Sequence, residues 1–254
     1  LKKTLRIPVA RAAAFGALVL ALALAAGEAK AASPRLEGTA SPRLDGTASP
    51  PTAGTASPRW IAHPDKPFDV LATEATVDEF KDCIAAGKCA KTDADEVCNI
   101  GKPGFGAFPI NCINHDGAEA LCAHLGGRLC NSKEWLAACR GIDNRAFPYG
   151  PDYQPSRCHV GTYEQPGPGG RTTIAAGSVP DCVGGLAGLF DMSGNVSEWI
   201  SDCKGDYCKF RGAAYMGNDP VEHFAGCGEV CSGNDKGLKS GTVGVRCCRD
   251  RRSP

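Results

Sequence analysis

The chain reads as an α+β domain, rich in loops and stapled by disulfides. Three observations lead there. Glycine accounts for 32 of 254 residues while aromatics make up 7%, a composition of turns rather than long helices. Fifteen cysteines far exceed what a reducing cytosol keeps unless they bind metal, and no CxxC pairs recur with histidine partners to build a zinc cage. Three short segments carry helix start and stop signals, and the stretches between them have no helical period.

In chain order, residues 1–31 read as a signal peptide. Lys2, Lys3, Arg6 and Arg11 form a basic start, Ala12 to Ala26 an apolar run, and Ala29-Lys30-Ala31 a small-residue cleavage site. The run is short for a membrane span, so no transmembrane anchor is expected after cleavage. Residues 32–59 repeat SPRLEGTA, SPRLDGTA and SPPTAGTA; Pro and Gly in every unit with almost no large apolar residue predict a disordered linker. The globular domain then covers residues 60–252.

Its first helix is announced by Thr76-Val77-Asp78-Glu79, a capping box, with Val77, Phe80 and Ile84 as the apolar stripe and Gly87 as the stop. A second helix is predicted over Gly117 to Leu125, ending at Gly126. A third starts at Asn131 or Ser132, turns Trp135 and Leu136 inward, and ends at Gly141. Strands are predicted at Lys209 to Tyr215 and at Val243 to Arg246. Trp135 and Trp199 read as core anchors.

Charge narrows the function. With 28 basic and 28 acidic residues the net charge is zero, which points away from nucleic acid and anionic membranes as partners. The five histidines show no ligand spacing, and no Ser-His-Asp arrangement or phosphate-cradling glycine loop is recognisable.

The most informative segment is GGLAGLFDMSGNVSEW, Gly184 to Trp199: a glycine-rich approach, an Asp, a Ser-Gly-Asn turn, then a Glu beside a Trp. With ATEATVDEF, PINCINHDGAEALC, GGRLCNSKEWLAACRG, FPYG, FRGAAYM and GTVGVRCC, in that order, it resembles the formylglycine-generating-enzyme family, also called sulfatase-modifying-factor domains. The resemblance covers nearly the whole domain. It implies that family's variant of the C-type-lectin-like fold.

It also implies calcium at the Asp191 loop, through the side chains of Asp191 and Glu198 and the carbonyls of Gly194 and Val196. Two carboxylates around a tight turn are the oxygen donors that ion takes, about six to eight at a time. The plainer reading is that Asp191 and Glu198 cap turns. A second family ion is not expected, because Cys158 stands near the position of its asparagine ligand.

Active members oxidise a substrate cysteine to formylglycine with copper(I) held by two thiolates, the soft ligands that ion prefers. The resemblance puts those positions directly after RGAAYM and five residues on. Here they are Gly217 and Glu222. Cys227 and Cys231, in CGEVC, remain as weak candidates for a displaced pair.

The resemblance assigns Cys227 to a structural bridge with Cys139, and Cys122 to one with Cys247. Short loops suggest Cys83 with Cys89, Cys98 with Cys112, and Cys203 with Cys208. Cys158 with Cys182 would brace the former ion loop. Cys130 replaces a family proline and Cys248 extends the terminal GVRC, so those two changes suggest one further bridge. Cys231 is left over.

Three functions follow as alternatives. The chain is a noncatalytic, calcium-stabilised binding module for a protein, peptide or glycan; or an oxidoreductase with the displaced pair, the one case that needs copper; or a structural envelope protein. In each it is expected in the periplasm, the cell envelope or the secreted fraction.

Overall fold

The computed structural model describes residues 59–92, 95–217, 224–228 and 232–251. The segments read as signal peptide and linker lie outside these residues except for Arg59, as do Glu222, His223 and Cys231.

Helix α1 spans Val77–Ala85, and both halves of its capping box form: the Glu79 amide donates to Thr76 Oγ1 and the Thr76 amide to Glu79 Oε2. Val77, Phe80 and Cys83 are buried, whereas Ile84 is only half-buried at the edge of the stripe. Helix α2 spans His115–His124 and begins two residues before the expected Gly117. The reason is Asn114, whose side chain accepts from the Gly117 amide and so caps the helix earlier. Helix α3 spans Ser132–Arg140 behind a second capping box, Asn131 with Glu134.

Strands β1 (Trp60–Ala62), β2 (Phe68–Leu71), β3 (Arg128–Leu129) and β8 (Cys247–Asp250) form an antiparallel sheet in the order β1-β2-β8-β3. Strands β4 (Ser197–Lys204), β5 (Tyr207–Arg211), β6 (Ser232–Asp235) and β7 (Val243–Val245) form a second sheet in the order β6-β5-β4-β7. In it β4 runs parallel to β7 and antiparallel to β5. The strand expected at Lys209 to Tyr215 therefore starts two residues earlier and stops at Arg211. Gly212 ends it by taking φ +84°, a left-handed conformation that turns the chain away from the ladder. Arg246 falls between β7 and β8 rather than inside a strand.

Two apolar clusters make the core. One gathers Phe80, Ile110, Ile113, Leu121 and Trp199; the other gathers Val70, Trp135, Leu189, Met192 and Ile200. Disulfides tie elements across them. Cys122–Cys247 fastens α2 to β8, Cys130–Cys248 joins the end of β3 to β8, and Cys139–Cys227 anchors α3. These three close loops of 125, 118 and 88 positions, the kind that most restricts the unfolded chain. Cys83–Cys89, Cys98–Cys112, Cys158–Cys182 and Cys203–Cys208 brace loops nearer in sequence. In each of the seven bridges the partners are the two cysteines that the resemblance, the loop lengths or the paired departures from the family pattern suggested.

A candidate metal centre and the Gly217 loop

The segment after Leu189 folds tightly. Asp191, Gly194 and Asn195 take φ of +56°, +98° and +57°. A Cβ on Gly194 would meet the His159 carbonyl oxygen at 2.6 Å, so only glycine lets these two backbones approach. Asn195 locks the turn on both sides: its amide donates to the His159 carbonyl at 2.8 Å, and its side chain exchanges hydrogen bonds with the Ile174 backbone.

Asp191 is buried, and its Oδ2 accepts from the Gly177 amide at 2.5 Å. Glu198 sits on β4 and caps no turn. Its Oε1 accepts from Arg246 Nε at 2.9 Å, and its Oε2 accepts from the Trp135 indole Nε1 at 2.5 Å. Trp135 is thus a core anchor with a polar tip on the site. Arg246 is fully buried and spends its remaining donors on the Leu71 and Phe190 carbonyls.

Sequence reasoning missed two members of this group, Glu74 and Arg246. Glu74 is 1% exposed, and neither of its carboxylate oxygens has a hydrogen-bond donor. It lies near Asp191, another carboxylate, and the two interact electrostatically. Burial pushes the Glu74 carboxyl well up, and the neighbouring Asp191 adds to this. Burial likewise raises Asp191 to about 6, against the pull of the Gly177 amide and Arg246. Glu198 is raised by burial and held down in part by Arg246. The only mark of Glu74 in the sequence is that it is the one charged residue of LATEATV, just ahead of a helix cap.

The charge balance is informative. Three ionised carboxylates against one guanidinium leave two negative charges inside the protein. Such charges are costly to bury uncompensated, and one divalent cation with a taste for oxygen would cancel them. Asp191 and Glu198, with the Gly194 and Val196 backbone, are the groups that would hold it, with Glu74 near by; as the chain stands, the three carboxylates do not bring their ligand atoms within 4.8 Å of one another.

Gly217, where the resemblance puts the first thiolate, is tied to the neighbouring loop. The Tyr215 amide donates to the Asn195 carbonyl, and the Gly217 amide to the Gly161 carbonyl at 2.8 Å. Gly217 is exposed, and a Cβ there would meet nothing nearer than 3.7 Å. The backbone thus has room for a side chain that this chain does not supply. Cys227 is 1% exposed and bonded to Cys139, so it presents no thiolate. Every described cysteine is in a disulfide.

His159 shapes the loop beside Gly217. Its Nδ1 accepts from the Gly169 amide at 3.1 Å, which leaves Nε2 to donate to the Thr172 carbonyl at 2.6 Å. Burial lowers its pKa, in keeping with that neutral form.

A family model described as the sulfatase-modifying factor enzyme 1-like domain matches residues 38–251. The chain belongs to that family. Among curated relatives, it is 27% identical over 161 residues to the inactive C-alpha-formylglycine-generating enzyme 2 of Bos taurus, covering 58% of this chain and 52% of that one. It is 32% identical over 105 residues to the formylglycine-generating enzyme of Mus musculus, covering 37% and 27%. A serine/threonine-protein kinase pkn1 of Chlamydia pneumoniae matches at 26% over 59% of this chain and 25% of its own length. The chain therefore spans at most about half of these family relatives. Among solved structures, PvdO from Pseudomonas aeruginosa superposes with a TM-score of 0.57 at 22% identity, covering 73% and 81% of the two chains. CarF does so with 0.54 at 21%, covering 72% and 86%. These likenesses establish the fold. Seven disulfides suit an oxidising, extracytoplasmic compartment. Among the described residues, no helix is long and apolar enough to cross a membrane.

Proposed function

We propose that the chain is an exported, noncatalytic member of the family, whose calcium-stabilised scaffold serves as a binding module for a protein, peptide or glycan. The observation that carries this reading is the buried Cys139–Cys227 bridge. It withdraws Cys227 from copper chemistry while Gly217 stands at the first thiolate position. A displaced Cys227/Cys231 pair would have to break that bridge first. Similarity to a mammalian relative itself named inactive points the same way. Export is supported by the basic, apolar and small-residue order of residues 1–31 and by the disulfides.

Calcium would be held by Asp191, Glu198 and Glu74 with the carbonyls of Gly194 and Val196. Bound there, it supplies positive charge that lets all three carboxylates ionise inside the core. The loops around Gly217 and Gly161 would then offer the surface for a ligand, as rigid scaffolds commonly do.

A copper(I) competition experiment tests the loss of the oxidase centre. The oxidised domain is titrated against a chromophoric copper(I) chelator, with ascorbate rather than a thiol as reductant. No transfer of copper is expected, whereas Gly217→Cys combined with Glu222→Cys should take up one equivalent. Stoichiometric uptake by the unaltered chain would overturn the proposal.

A further inference from the structure

Of the fourteen cysteines in the seven bridges, thirteen are buried, and Cys203 alone is exposed. Its partner Cys208 lies directly opposite it on β5, and the bridge spans 5 positions, the shortest separation of the seven. Lys204 pairs with Tyr207 on one side of it, and beyond a bulge Trp199 pairs with Phe210 on the other, so backbone pairs flank the bridge on both sides. A bridge closing so short a loop also restricts the unfolded chain least. This is the disulfide a reductant can reach and the fold can spare.

A third group waits beside it. His115, at the start of α2, places Nε2 at 3.5 Å from Cys203 Sγ and 3.1 Å from the Ile200 carbonyl oxygen. Ligand atoms of His115, Cys203 and Cys208 all lie within 4.8 Å of one another. The sequence hides this, because His115 is 88 positions from Cys203 and meets it only in the folded chain. Two thiolates and an imidazole are three donors of a tetrahedral zinc site, with a fourth place open to water. The carboxylates of Asp116 and Glu119, also within 4.8 Å of a His115 nitrogen, add negative charge at the rim.

We propose that Cys203–Cys208 is an exchangeable disulfide whose reduced form, together with His115, binds Zn2+. The reductant is a dithiol, of the class carried by thiol–disulfide oxidoreductases. One of its thiolates attacks the exposed Cys203 Sγ; the S–S bond breaks, and Cys208 leaves as a thiolate and takes a proton. The second thiol of the reductant then resolves the mixed disulfide and frees Cys203. The reductant departs as its own disulfide, and two electrons have passed to the protein. Zn2+ displaces the two thiol protons, while His115 Nε2 turns from the Ile200 carbonyl to the metal. The site thus exists only after reduction, and oxidation ejects the ion.

The test uses the full chain with Cys231→Ser, which removes the one cysteine outside the seven bridges. Dithiothreitol is titrated, new thiols are alkylated, and peptides are mapped. Cys203 and Cys208 should be labelled at reductant levels that leave the other six bridges intact. The reduced protein should then bind one equivalent of Co2+ with a sulfur-to-cobalt charge-transfer band that Zn2+ abolishes. His115→Gln should weaken zinc by more than about tenfold, and Cys203→Ser with Cys208→Ser should lose both the band and the binding, circular dichroism confirming that each variant is folded. A bridge that resists reduction until the whole protein unfolds would overturn the proposal. So would a reduced form that takes up no zinc, or zinc binding unchanged in the double serine variant.

Discussion

Arg246 and Glu198 form an ion pair in the core, with 2.8 Å between Nη2 and Oε1 and neither side chain more than 1% exposed. The pair joins the residue between β7 and β8 to the start of β4. Removing one partner of such a pair leaves the other charged and unmatched, which costs about 3–5 kcal/mol. Arg246→Met, which strands three carboxylates, should lose stability of that order in urea unfolding. Arg246→Met with Glu198→Gln should recover part of it. Equal losses in the single and double variants would mean that the pair contributes through shape alone.

Calcium and pH should trade against each other at Asp191. Its ordinary value is 3.8 and its folded value about 6. Below about pH 4 the carboxyl is protonated in folded and unfolded chains alike. As pH climbs to about 6, the unfolded chain ionises first and the folded one is penalised. Without a cation this group therefore erodes stability as pH rises through that window. Calcium held as proposed would reverse the effect by binding the ionised cluster. At 100 times its Kd it adds about 2.7 kcal/mol, or roughly 5–10 °C in melting temperature for a domain of this size. The gain should be full at pH 7.5 and absent at pH 4.5. Melting curves with calcium and with chelator at both pH values check this, and superimposable curves at pH 7.5 would count against the site.

Glu74→Gln separates the ion from the fold. In chelator at pH 7.5 the variant loses a buried carboxylate that has no donor, and its melting temperature should rise or hold. In calcium it should melt below the unaltered protein, because a ligand is gone. A calcium titration by calorimetry should show affinity reduced by about tenfold or more. If Glu74→Gln destabilises the protein equally in calcium and in chelator, Glu74 serves packing only.

These residues show what the sequence could and could not reveal. The helices were legible because their starts are local: Thr76 with Glu79, and Asn131 with Glu134, each close within three residues. Asp191 and Glu198 were legible because they share one continuous motif. Glu74 was not, because it meets Asp191 only after β2 and the glycine-rich loop fold against each other; in the chain it is one acid near a helix cap. Arg246 lay hidden in the same way, 48 positions from Glu198. The end of β5 was misplaced because no proline or charged residue follows Arg211 to stop a strand before Tyr215, while the left-handed turn at Gly212 is visible only in the backbone.

Loss of oxidase chemistry is the central proposal, and one measurement addresses it directly. The folded domain is incubated with copper, a thiol reductant, oxygen and a Cys-x-Pro-x-Arg peptide, beside an active family member, and the peptide is weighed by mass spectrometry. The account predicts an unconverted cysteine with this chain and formylglycine with the control. Conversion by this chain would contradict it, and would mean that a thiolate pair assembles despite Gly217 and the Cys139–Cys227 bridge.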